Sequence, residues 1–91
     1  MEVIIKKRYL KELKFLPKDV VKAADAIIDI LVDAKSLQES GLDYIKLSGQ
    51  KKDENFYRIR TGNYRIGCEL IQPKIMVITI FNRQEDYKKF P

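Results

Sequence analysis

The hydrophobic period of this chain changes once, at Gly41, and that change restricts the fold more than any other feature. Before it, Val20, Ala24, Ile27, Leu31 and Ala34 recur at spacings of four and three, which is the pattern of a helix with one buried stripe. After it, apolar residues alternate with polar ones, as they do along strands with one face covered. In 91 residues this leaves room for one α+β domain over 1–91 and little else.

The elements follow from that change of period. Residues 2–6 form a short first strand through Val3, Ile4 and Ile5. Leu10, Leu13, Phe15 and Leu16 fit a short amphipathic helix that stops before Pro17. Pro17 suits the first turn of the helix after it, with Asp19 near the positive end. Asp25, Asp29 and Asp33 fall four apart on another stripe of that helix, facing water or a cationic partner. The two helices make a hairpin that ends by Ser40–Gly41. Residues 56–61, 63–71 and 74–81 then form three strands, joined by turns at Gly62–Asn63 and Gln72–Pro73. The predicted order is β-α-α-β-β-β, with the helical hairpin on one face of a small, mainly antiparallel sheet.

Composition removes several classes of function. The longest mainly apolar stretch, 75–81, is far short of the roughly 20 residues of a membrane helix, and no signal-peptide pattern opens the sequence; the expectation is a cytosolic protein. One cysteine and no histidine exclude an internal disulfide, a zinc constellation and a Ser-His or Cys-His triad. Cys68 is expected to be a small buried hydrophobe. Any chemistry must use Arg, Lys, Tyr, Asp or Glu.

The net charge of +5 is unevenly spread. Residues 1–18 carry +4, residues 19–45 carry −4, and the whole surplus lies in residues 46–91, with ten basic and five acidic side chains. Two basic regions flank an acidic one. Such a surface fits a polyanionic partner, and it also fits plain solubility.

Counting outward from a two-residue Gly62–Asn63 loop decides which side chains share a face. Thr61 lies opposite Tyr64, Arg60 opposite Arg65, Ile59 opposite Ile66, Arg58 opposite Gly67 and Tyr57 opposite Cys68. Tyr57, Ile59, Ile66, Cys68 and Leu70 then form an apolar face for the helices to cover. Arg58, Arg60 and Arg65 line the other, which is left open and cationic. Like charges directly opposite on a sheet are destabilising. The forked donors of arginine suit phosphate, with Gly67 leaving space above Arg58; arginines that are merely solvated, or paired to Glu69 on the same face, are the plainer reading.

The tail follows the last strand to the rim of the sheet. Neighbouring cations would favour the phenolate of Tyr87 and make it a candidate general base. Anchoring of the C-terminus on the core by Tyr87 and Phe90 is the alternative.

The run Tyr57-Arg58-Ile59-Arg60-Thr61-Gly62-Asn63-Tyr64-Arg65-Ile66, followed by a strand and then Asn82-Arg83-Gln84-Glu85-Asp86-Tyr87, closely resembles the RelE/ParE superfamily of toxin–antitoxin toxins. The layout of the N-terminal strand and hairpin, and Lys46-Leu47-Ser48-Gly49, match it too. In the RelE branch the resemblance implies a metal-independent, ribosome-dependent mRNA endonuclease. There the ribose 2′-hydroxyl attacks the adjacent phosphate, giving a 2′,3′-cyclic phosphate and a 5′-hydroxyl. Carried over by motif, the catalytic candidates are Arg58, Arg60, Arg65, Arg83 and Tyr87, with Lys46, Lys51, Lys52, Arg58 and Arg60 as RNA contacts. Arg58 and Arg60 stand where well-known RelE-type nucleases have lysines. The resemblance implies a cognate antitoxin, the ribosome and mRNA as partners, with the basic face and the positive 1–18 region as docking surfaces for acidic antitoxin residues. No cofactor is implied. A ParE-like inhibitor of DNA gyrase is the alternative within the superfamily, and an RNA-binding member that does not cut is a third.

Overall fold

A computed structural model describes residues 1–47, 54–85 and 90–91. Five strands, β1 (Glu2–Ile5), β2 (Tyr44–Lys46), β3 (Phe56–Thr61), β4 (Tyr64–Ile71) and β5 (Lys74–Asn82), form one sheet in the order β1-β5-β4-β3-β2. β1 runs parallel to β5 and every other pair is antiparallel. Two helices, α1 (Lys7–Leu13) and α2 (Lys18–Asp33), lie between β1 and β2 in sequence. The α+β order and the helical hairpin are as expected. β2 is an addition: three residues are too few to display a period, yet Tyr44, Ile45 and Lys46 pair with Ile59, Arg58 and Tyr57 and extend the sheet past β3.

α2 starts after Pro17, carries Asp19 in its first turn and buries Ala24, Ile27 and Leu31. The acidic stripe of Asp25, Asp29 and Asp33 is exposed on it. α1 begins earlier than the leucine spacing predicts. Lys6 donates its N–H to Val77 O at 2.9 Å and also stands at the N-cap, so the chain passes from β1 straight into the helix. That start turns Tyr9 inward, at 2% exposure, and leaves Leu10 at 48%. Phe15 lies beyond the last helical residue and is 87% exposed.

The register of the β3–β4 hairpin is the one obtained by counting, with Arg60 opposite Arg65 and Arg58 opposite Gly67. Gly62, at φ 58, supplies the positive φ that the first position of this tight turn requires. On the next pair, Gly67 faces Thr79 but Cys68 faces Val77, so Ile78 is the extra residue of a bulge. The bulge lets Ile80, Val77 and Ile75 all turn toward the helices, and it explains why the end of the chain reads as nearly continuous apolar sequence. Ile59, Ile66 and Cys68 join them at 0% exposure. Cys68 is the small hydrophobe expected, and burial pushes its thiol up to about 12.

Candidate functional site

The face of the sheet away from this core carries Arg58, Arg60 and Arg65. Together with Asp43, Tyr44 and Ile45 they line one pocket of about 190 Å³. That is room for several waters, at roughly 30 Å³ each, or for one phosphodiester group. Its floor is sheet, so the three arginine stems leave from paired backbone rather than from a loop. Arg60 donates from Nε to Oδ2 of Asp43 at 2.6 Å, and its backbone N–H reaches Asp43 O at 2.8 Å. Arg65 is half-buried, with Nη1 donating to Tyr64 O at 3.0 Å and to Gly62 O at 3.3 Å. Arg58 is also half-buried. Asp43 offsets part of the like-charge repulsion between Arg60 and Arg65, which face each other directly.

Several expectations about the site change. The carboxylate that meets an arginine is Asp43, on the segment leading into β2; Glu69 lies opposite Phe56 and Met76 and, among the described residues, pairs with no arginine. The space above Gly67 is not open, because the ring of Phe90 occupies it. Phe81, opposite Arg65, is buried as well, so the cationic surface is confined to the β2–β3–β4 side of the face. Lys46 pairs with Tyr57 and therefore belongs to the face turned toward the helices, away from the arginines, although at the sheet edge it is exposed. Arg83 is exposed at the start of a 3₁₀ turn, with its N–H bonded to Asn63 O at 2.8 Å beside the hairpin tip, and does not line the pocket. Tyr87, Lys51 and Lys52 lie outside the described residues. Asp43 was not legible beforehand, because nothing in Gly41-Leu42-Asp43 announces a strand edge that folds back to Arg60.

Comparison with known proteins decides the family. No protein-family model matches the chain. Toxin RelE3 of Methanocaldococcus jannaschii is 36% identical over 91 residues, which is the whole of both chains. The chain belongs to the RelE toxin family. The RelE toxin in a RelB–RelE antitoxin–toxin complex from Methanococcus jannaschii superposes on it with a TM-score of 0.79 at 34% identity, covering 97% of this chain and 99% of that one. A RelE–RelB complex from Pyrococcus horikoshii matches with a TM-score of 0.71 at 31% identity, over 90% and 93% of the two chains. The intact RelBE complex of E. coli, at 19% identity and a TM-score of 0.61, shares the fold. The arginine pocket thus sits on a RelE fold, on the sheet face that the helices leave uncovered.

Proposed function

We propose that this RelE-family chain is the toxin of a type II toxin–antitoxin pair and a ribosome-dependent endonuclease of mRNA, acting without a metal. The observation that carries the proposal is the convergence of Arg58, Arg60 and Arg65 on one pocket. Three fixed guanidinium groups suit the oxygens of a phosphodiester and the extra negative charge that develops as the ribose 2′-oxygen attacks phosphorus. In this reading the 2′-oxygen–phosphorus bond forms, the phosphorus–5′-oxygen bond breaks, and the products are a 2′,3′-cyclic phosphate and a 5′-hydroxyl. The 2′-hydroxyl proton passes to Tyr87 or to Asp43, the carboxylate inside the pocket, while water or a protein acid protonates the departing 5′-oxygen. Arginine is excluded as the base by its pKa. Alignment of the mRNA by the ribosome supplies the positioning that so shallow a pocket does not.

Restraint by an antitoxin has its own surface in this reading. Leu10, Leu13, Leu16 and Val21, rimmed by Lys14 and Lys18, line a groove of about 570 Å³ along the helical hairpin, with exposed Phe15 between them in sequence. An amphipathic, acidic antitoxin segment matches this combination of apolar floor and positive rim. Mapping mRNA 5′ ends on translating ribosomes, beside a gyrase supercoiling assay, tests the activity. Transcript cuts within the A site are expected; blocked supercoiling without cuts would assign the chain to gyrase inhibition.

A further inference from the structure

Gly67 lies directly across the hairpin from Arg58, so one position beside Arg58 on the arginine-bearing face has no side chain of its own. Another part of the chain fills it. A Cβ at Gly67 would come within 2.9 Å of Cγ and Cδ2 of Phe90 and within 2.8 Å of Cγ2 of Thr79. The Phe90 ring is 9% exposed and stands edge-on to Phe56, with centroids 5.4 Å apart and planes at 87°. Phe56 and Arg58 are two apart on β3 and share that face. Thr79 is fully buried; its hydroxyl donates to Oε1 of Glu12 at 2.6 Å, which fixes the side chain with its methyl group toward Gly67. Gly67, Thr79 and Phe56 form a seat shaped for one aromatic ring, adjoining the place where Arg58 leaves the sheet.

We propose that Phe90 is a positioning residue for Arg58. By occupying the seat over Gly67, the ring keeps the long Arg58 side chain from folding across the sheet and holds its guanidinium on the pocket side, beside Arg60 and Arg65. An empty seat would offer apolar walls to the methylene stem of Arg58, and flexible arginines lay such stems along apolar surface readily. The guanidinium would then be displaced from a pocket whose action depends on preorganised charge. This inference rests on the nuclease reading of the pocket.

The test is a double-mutant cycle on the full chain, read as single-turnover cleavage on programmed ribosomes. Phe90→Ala should lower the saturating single-turnover rate roughly tenfold to a hundredfold, the scale of a misplaced catalytic group, with the half-saturating ribosome concentration nearly unchanged. Phe90→Leu, which keeps bulk in the seat, should recover most of the loss. Arg58→Ala should cost much less in the Phe90→Ala background than in wild type, whereas Arg65→Ala should cost the same in both. Gly67→Ala, which drives the ring out while retaining it, should reproduce the coupling to Arg58. If Phe90→Ala melts too early to assay, the Gly67→Ala variant carries the cycle. An undiminished Arg58→Ala effect in the Phe90→Ala and Gly67→Ala backgrounds would reduce Phe90 to a packing residue and overturn the proposal while leaving the nuclease reading in place. A wild-type chain that cuts no mRNA would instead overturn that reading, and the positioning role with it.

Discussion

The two faces of the β3–β4–β5 sheet differ by a one-residue step along each strand, and their chemistries are opposite. On the helix side the rows Tyr57–Cys68–Val77 and Ile59–Ile66–Ile80 are apolar from strand to strand. On the other side the rows run Arg58–Gly67–Thr79 and Arg60–Arg65–Phe81, charged on β3 and buried and uncharged by β5. Burial alone accounts for the first face. The second is a compromise: its β5 half is closed by Phe81 and Phe90, while its β3 half sets like charges side by side at some cost to the fold. A chain selected only to fold would have no use for that half, which is why the proposed activity is assigned to it.

The sharpest break between the faces comes from two neighbouring residues of β4. Arg65→Ala should lower cleavage by about 10²–10³, the loss seen when one preorganised donor to a developing anion is removed, and should abolish growth arrest. Its stability cost should stay near 0.5–1.5 kcal/mol, the scale of the two backbone carbonyl contacts it gives up. Ile66→Ala should do the reverse, destabilising by about 2–5 kcal/mol through a core cavity. Growth assays and thermal melts on both variants measure the pair. Growth arrest by Arg65→Ala at the wild-type level would remove that side chain from the site.

The comparison extends to the outside of the helical hairpin, where a third surface is neither core nor arginine pocket. Phe15→Glu should weaken antitoxin binding by about 1.5–3 kcal/mol, the value of one buried apolar side chain, or roughly tenfold to a hundredfold in Kd. Toxicity of the free chain should not change. Titration calorimetry against the cognate antitoxin checks this, and an unchanged Kd would move the contact to another face.

How much of this was legible depends on how local the cause was. The helical stripe of α2 and the turn at Gly62–Asn63 are set by residues adjacent in sequence, so α2, the hairpin register and the arginine cluster could be counted out in advance. The bulge at Ile78 lies in the nearly continuous apolar run of β5, and such a run does not say which of its residues is the extra one. The start of α1 is set by the Lys6–Val77 backbone contact, more than seventy positions apart, which overrode the leucine spacing. Asp43 reaches the site by continuing the pairing of β2 with β3, which nothing in its own segment signals, and Phe90 packs over Gly67, across the hairpin from Arg58, a contact between residues distant in sequence.

A smaller effect separates a satisfied interior from an unsatisfied one. The Tyr9 hydroxyl is buried and has no hydrogen-bond partner among the described residues. Tyr9→Phe removes the cost of that orphaned donor, so it should stabilise the chain by about 1 kcal/mol, or several degrees in Tm. Burial, with the charge of Asp25 adding to it, also pushes the Tyr9 phenol up to about 12 from its ordinary 10.0, and burial does the same to Cys68 from 9.0. Both groups stay protonated when folded at a pH where the unfolded chain has lost the protons. Stability should therefore be unaffected by them below pH 9.0 and fall between there and about 12. Denaturant melts across that range should show the fall, flattened in Tyr9→Phe and Cys68→Ala.

The last distinction lies inside the pocket, between a charge that tunes and a group that reacts. Asp43 and Arg60 form their ion pair with 55% and 58% of their side chains exposed, so the pair adds at most about 1 kcal/mol and Asp43→Ala should barely move Tm. It does remove the one carboxylate that lines the pocket among the described residues. Binding to single-stranded RNA should tighten, and its salt dependence should steepen by up to about one unit of log–log slope as the freed Arg60 takes a phosphate. With Tyr87 as proton acceptor, cleavage per bound ribosome should survive the substitution. A variant that binds RNA more tightly yet cuts it far more slowly, and whose pH–rate profile loses the ionisation that reports the base, would transfer the base from Tyr87 to Asp43; slow cutting with that ionisation retained would mean only that Arg60, no longer held by Asp43, is misoriented.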